Sequence, residues 1–299
     1  MSASLATTLL EPGTRSPLQR EGDAYIGSTG ARYEIEDGVV RMLGAVDPEL
    51  AAELRAQDIA LEEYRDPGLL MPRYERDMAR LALVELFGGS PPKGDILDAG
   101  CGIGILGRLY PELDLVGLDA SMTLIREAKS GYRLRVEASV EKLPFADASF
   151  DVVVALNMLH HVINPDRAVN EFARVLRPGG TLVAVDPRKV AVIELAKQVL
   201  RGKDTAFAPS HKAFGVAEYD RLVEQAGMFS LDRRERVGLF TLVSMGGLDA
   251  LKLSPRLPNP ELAANLLRSV DQALFRLPGV SRAGLNLAIR ATRTSRPAS

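Results

Sequence analysis

The residue types best suited to chemistry cluster between Ile96 and Gly104, where two apolar residues run into Asp98 and glycines alternate at positions 100, 102 and 104. An apolar run closed by such a turn reads as a buried strand that delivers bare backbone to a ligand. Glycine tolerates positive φ and has no Cβ to hold the ligand off. Asp98, ahead of the glycines, selects by charge: it repels a phosphate and attracts a cation.

Two ligands compete for this turn. S-adenosylmethionine (SAM) has no phosphate and carries a positive α-amino group and a positive sulfonium, so an acidic turn suits it. A dinucleotide would bring a negative pyrophosphate. Gly102, Gly104 and Gly107 do spell GxGxxG, with Asp119 downstream where a ribose-binding acid is expected. However, the apolar run ends at Leu97, so that pattern starts two residues late, and Asp119 follows Gly107 by only 12 residues. A purely structural glycine turn is the third reading. Cys101, the single cysteine, reads as a small residue packed behind the turn rather than as a nucleophile.

Asp119 ends the run Val116-Gly117-Leu118. A carboxylate there can accept from both hydroxyls of a ribose, or it can cap a helix. The chain has three histidines. His160 and His161 follow the fourth expected strand, and His211 lies in a polar loop, its only warrant for touching a substrate. A general base helps when the group that reacts is a hydroxyl or an acidic carbon. His161 and His211 are therefore the catalytic candidates, with a structural or cofactor-shell role as the alternative for His161. Arg73 and Tyr74 precede the sheet where a residue could reach the carboxylate of SAM, or they serve as surface charge and core.

A sheet must hold these residues. From Asp95 onward strands alternate with helices, the pattern of a mostly parallel sheet covered on both faces. Strands are expected at 95–99, 113–118, 134–137, 150–156 and 181–185, then near 231–236 and 239–243. Helices are expected at 48–64, 71–87, 190–200 and 218–226. Asn164-Pro165-Asp166 opens another, stopped by Pro178-Gly179-Gly180. Asn259-Pro260-Glu261 opens the last. Short β-like pieces at 23–26, 32–35 and 39–43, with a hairpin signal at Asp37-Gly38, predict a small β-rich module at 1–47. A helical connector at 48–94, a ligand-binding domain at 95–245 and a helical extension at 246–299 follow. The arginine-rich, acid-free tail beyond Val280 reads as solvated.

Composition narrows the classes. The 299 residues suit one full α/β domain with appendages, or two domains. A net charge of −2 gives no general attraction to polyanions, so a nucleic-acid partner would need a local basic patch. One cysteine, no expected signal peptide and no apolar run near the ~18 residues of a membrane span predict a cytoplasmic protein.

Residues 95–187 resemble the class I SAM-dependent methyltransferases, in particular the branch with the ubiquinone and menaquinone biosynthesis enzymes. The matching pieces are Leu97-Asp-Ala-Gly-Cys-Gly-Ile-Gly104, Gly117-Leu-Asp-Ala-Ser121 and Glu141-Lys-Leu-Pro-Phe-Ala-Asp-Ala-Ser-Phe-Asp151. Leu159-His-His-Val162 and Val175-Leu-Arg-Pro-Gly-Gly-Thr-Leu182 complete them. The resemblance implies a doubly wound, Rossmann-like α/β fold with seven strands, the last antiparallel, and SAM as cofactor. It assigns Asp98, Gly100, Cys101 and Gly102 to the methionine end and Asp119 to the ribose. Ala120 and Ser121 would flank the adenine, Ser139 and Val140 would meet its edge, and Leu156 and Asn157 would line the pocket beneath the sulfonium. The family usually has an acid at Ser139, and a neutral hydroxyl accepts more weakly.

Residues 11–18 and 29–38 resemble a small zinc-ribbon module of some ribosomal-RNA guanine methyltransferases, with metal positions falling near Glu11, Thr14, Ile26 and Thr29. Those residues supply no thiolate or imidazole, so no metal is expected; a plain hairpin cap is the alternative. The expected activity is methyl transfer to a small, apolar or secondary-metabolite-like acceptor. The apolar helices at 248–277 would lid its pocket or pair two copies into a homodimer. Methylation of ribosomal-RNA guanine, and SAM binding without turnover, are the alternatives.

Overall fold

The computed structural model describes residues 8–65, 90–189, 213–224, 227–237, 256–275 and 284–295, with Leu83, Leu86, Phe87, Leu253 and Leu277. Arg73, Tyr74 and His211 lie outside the described residues, as do the expected helix at 190–200, the expected strand at 239–243 and most of the expected helix at 71–87.

The strands are β1 (Gln19–Glu21), β2 (Ala24–Ile26), β3 (Arg32–Glu36), β4 (Val39–Arg41), β5 (Ile96–Ala99), β6 (Leu115–Asp119), β7 (Tyr132–Glu137), β8 (Phe150–Leu156), β9 (Leu176–Pro187), β10 (Phe229–Val237) and β11 (Asn286–Arg293). They join in one sheet of order β1-β2-β3-β4-β7-β6-β5-β8-β9-β11-β10. From β4 to β9 every neighbouring pair is parallel, whereas β11 runs antiparallel to both β9 and β10. The sheet thus has eleven strands where seven were expected. The N-terminal meander adds four, continuing the sheet through the parallel β4–β7 pair instead of standing apart. The Asp37-Gly38 turn between β3 and β4 has φ +51 and +73, the pair of left-handed residues that a tight hairpin requires.

Helices cover the strands. They are α1 (Pro48–Tyr64), α2 (Ile105–Leu109), α3 (Met122–Ile125), α4 (Pro165–Val175), α5 (Val216–Glu224) and α6 (Pro260–Phe275). Asn164 caps α4 by accepting from the Arg167 amide, and Asn259 caps α6 through Leu262. Strands β5, β6 and β8 are almost continuously apolar because both of their faces are covered. One core face holds Leu97, Val116, Val153 and Phe172, and the other holds Ile96, Leu115, Val152 and Val183.

The tail reading needs correction. Residues 286–293 are a buried strand threaded between β9 and β10, not solvated chain. Leu287, Ile289 and Ala291 enter the core, while Arg290 donates to the Leu86 carbonyl and Arg293 to the Leu176 carbonyl. The alternation was present in the sequence, and the arginines that interrupt it masked it. Among the described residues of 246–299, helix α6 is followed by strand β11. On α6, Leu262 and Leu266 stay exposed.

Candidate functional site

Strand β5 ends in the glycine turn, and β6 ends beside it. The Gly100 and Cys101 amides both donate to the Leu118 carbonyl of β6, which ties the turn to the neighbouring strand. Gly100, Gly102 and Gly104 have φ of +69, +49 and +80. Their reasons differ. A Cβ at Gly100 would stand 2.7 Å from Met158 Cβ, so this glycine makes room for packing. A Cβ at Gly102 would meet nothing within 4 Å. Gly102 therefore presents bare backbone to open space, where a ligand can lie against it.

Two buried carboxylates flank that opening. Asp119 accepts from the Gly102 amide with one oxygen and from the Ser121 amide with the other, both at 2.8 Å. Burial raises its pKa against these bonds. Asp98 is 2% exposed and accepts at 2.5 Å from the Tyr132 hydroxyl. Burial, with the like charge of Asp119 added, pushes Asp98 up to about 7, while Tyr132 pulls the other way. Burial also raises the Cys101 thiol well above its ordinary range, so this residue is inert packing rather than a nucleophile.

Tyr132 is a site residue that motif reading missed. Its ring occupies the space left by three glycines: a Cβ would stand 3.1 Å from it at Gly104, 2.6 Å at Gly107 and 2.8 Å at Gly117. Two of the GxGxxG glycines therefore admit a tyrosine beneath the turn. The apparent dinucleotide pattern has this packing origin.

The other candidates fall around the same strand ends. Ser121 caps α3 by accepting from the Leu124 amide, the role weighed for Asp119, and Ala120 lies between the two. The Ala138 amide donates to the Asp119 carbonyl, which brings Ser139 and Val140 past the end of β7 to this edge. Ser139 Oγ accepts from the Glu141 amide. Leu156 ends β8, and Asn157 follows at φ +50 with its amide on the Val185 carbonyl. His160 and His161 then form a single helical turn, their rings 3.9 Å apart. His160 is fastened: its amide donates to Asp186 Oδ1, and its Nδ1 lies 2.8 Å from the same oxygen. Tyr219 of α5 donates to the other oxygen of Asp186 at 2.7 Å.

The donor set fits SAM. Two buried acids beside the half-buried, unobstructed backbone of Gly102 suit a cation and disfavour a pyrophosphate, and Asp119 retains lone pairs for ribose hydroxyls. Among the described residues no group of three or more potential ligands is arranged for a metal ion.

In the N-terminal module three of the four ribbon positions converge. Glu11 accepts from Thr14 Oγ1 and Ser28 Oγ at 2.7 Å each, and from both the amide and the hydroxyl of Thr29. Ile26 lies in β2 and takes no part in these bonds.

Residues 97–184 match a family described as a methyltransferase domain. A protein of Mycolicibacterium smegmatis described as a probable SAM-dependent methyltransferase is 30% identical over 161 residues, covering 52% of this chain and 59% of the relative. A ubiquinone/menaquinone biosynthesis C-methyltransferase of Syntrophotalea carbinolica is 34% identical over 103 residues, 31% of this chain and 44% of that protein. The chain spans about half the length of the curated relatives it matches. A crystal structure of a SAM-dependent methyltransferase from Thermotoga maritima superposes with a TM-score of 0.51 at 20% identity, covering 80% of this chain and 99% of that one, which shows the shared fold. Residues 97–184 thus resemble a methyltransferase domain, and the fold they belong to is shared with a SAM-dependent methyltransferase.

Proposed function

We propose that the protein transfers a methyl group from SAM to a small, apolar or secondary-metabolite-like acceptor. The observation that carries this reading is the open left-handed backbone at Gly102, set between the buried carboxylates Asp98 and Asp119. In this reading Asp98 and the backbone of Gly100, Cys101 and Gly102 receive the methionine end, and Asp119 receives the ribose. Ala120, Ser121, Ser139 and Val140 border the adenine, and Leu156 and Asn157 lie beneath the sulfonium. The bound cofactor would supply a methyl group already activated by its leaving sulfur, so alignment of the acceptor is the main task left to the chain. The quinone-biosynthesis branch is the kinship that the five motifs support.

A second reading, methylation of a ribosomal-RNA guanine, draws on the convergence of Glu11, Thr14 and Thr29; the net charge of −2 weighs against it. Calorimetry with SAM, then incubation with methyl-tritiated SAM and either the small-molecule fraction of a cell extract or ribosomal RNA, separates the readings. Label in the small-molecule fraction is expected. Label in RNA would favour the second reading, and binding with label in neither would leave a SAM-binding protein without transfer activity.

A further inference from the structure

The N-terminal module lies outside the matched residues 97–184, yet it grips a segment at the edge of the site from both ends. Strand β4 pairs in parallel with β7 up to Arg41 and Glu137, and the Met42 amide donates to the Glu137 carbonyl at 2.8 Å. Arg41 Nε adds a 3.0 Å bond to the Glu137 carboxylate, which is 8% exposed. At the other end the Leu10 amide donates to the Pro144 carbonyl at 2.9 Å, and Leu9 is the antiparallel bridge partner of Phe145. Residues 138–143, with Ser139 and Val140, lie between the two grips. Leu9 and Met42 share one core cluster with Val140, Leu143 and Phe145, so the hold is apolar as well as polar. Val140 is buried, and among the described residues its amide meets no acceptor, a donor left over for a ligand.

The tip of the β3–β4 hairpin holds the facing wall. Arg126 closes α3, which starts directly after Ala120 and Ser121, and it pairs with Glu36 and, at 3.0 Å, with Asp37. Arg135 of β7 donates to the Asp37 carbonyl at 2.8 Å and to the Ile125 and Arg126 carbonyls. Glu36 also accepts from Arg41 at 2.8 Å. Arg41 therefore joins the two walls, reaching Arg126 through Glu36 and the end of β7 through Glu137.

We propose that the N-terminal module is a clamp that sets the spacing of the two walls around the adenine, with Arg41 as its positioning residue. This rests on the reading above that places adenine between Ala120–Ser121 and Ser139–Val140, and it deepens that reading by giving the module a task in cofactor recognition. Arg41 acts through Glu36 and Glu137. A loosened clamp lets the walls drift, and hydrogen bonds to the base edge depend on distance and angle.

Two product analogues that differ only in the base make the test. S-Adenosylhomocysteine presents a donor amine and an acceptor ring nitrogen, whereas S-inosylhomocysteine presents an acceptor carbonyl and a donor N–H. The Val140 amide can only donate, so it suits the first and opposes the second. By calorimetry the wild type should prefer S-adenosylhomocysteine roughly 10- to 100-fold, the usual cost of leaving such a group unpaired. Arg41→Ala should weaken S-adenosylhomocysteine about fivefold and S-inosylhomocysteine less than about twofold, so the preference shrinks. Arg41→Lys, which keeps a charge facing both acids, should restore part of it. Leu9→Ala loosens the other grip and should shrink the preference again. The Arg41 side chain is 48% exposed, so its variant stays folded even where Leu9→Ala does not. Glu11→Gln alters bonds inside the module and should leave the preference intact. A preference unchanged in Arg41→Ala would overturn the clamp and leave the cofactor reading standing. A wild type that binds both analogues equally would overturn the placing of adenine and the clamp with it, and one that binds neither would overturn the cofactor reading itself.

Discussion

Glu11 and Asp98 are both 2% exposed, one in the N-terminal module and one under the glycine turn, and their pKa values move in opposite directions. Glu11 is held down at about 2 because Thr29, Ser28 and Thr14 donate to it. Asp98 has Tyr132 as its donor and Asp119 as a like-charged neighbour, and it rises to about 7. Low exposure alone therefore does not fix the outcome: desolvation deep in the domain dominates at Asp98, whereas at Glu11 the donors outweigh a smaller desolvation. A carboxylate saturated by its own chain holds structure together. One left short of donors is poised for a cation from outside.

The largest break in this contrast should come from removing the acids at the turn. Asp98→Ala and Asp119→Ala are each expected to weaken SAM about 100-fold, near 3 kcal/mol, as loss of charge-assisted bonds in a dry site would; calorimetry measures it. Glu11→Gln should leave that affinity unchanged.

Stability against pH sharpens the contrast next. Asp98 and Asp186 are both raised to about 7 by burial, so the folded protein binds protons there that the unfolded chain has released. Melting temperature in the absence of SAM should fall as pH rises from about 4 to 7, and Asp98→Asn should remove part of that fall, Asp119 and Asp186 keeping the rest. Glu11 has the reverse sign. Its contribution is complete above about 4.5 and is lost as pH falls toward 2, so Glu11→Gln lowers the melting temperature at neutral pH and flattens the acid limb.

The smallest effect belongs to Tyr132→Phe. Without the hydroxyl, Asp98 ionises less readily. SAM affinity should drop a few-fold at pH 7 and recover by about pH 8.5, whereas a purely structural tyrosine would give a pH-independent loss.

Legibility in the sequence followed sequence separation. The turn from Asp98 to Gly104, the caps at Asn164 and Asn259 and the Asp37-Gly38 hairpin are local devices, and each was readable from adjacent residues. Tyr132 meets Asp98 across 34 positions, and Glu53 meets His161 across 108. No short-range pattern encodes such contacts; the only hint of Glu53 was an acid on the same helical face as the buried Leu61. Strand β11 failed for another reason. Four arginines beyond Val280 suggested solvent, although Leu287, Ile289 and Ala291 keep the two-residue period of a strand.

The placement of β11 also sets an order of events during synthesis. Strand β10 leaves the ribosome first, but its place in the sheet is beside β11 and not beside β9. Until residues 286–293 have been made, β9 offers an open edge that could pair with the wrong strand or with another chain. Nascent chains stopped before Asn286 should therefore depend on chaperones more than the finished protein does, even with the SAM turn already formed.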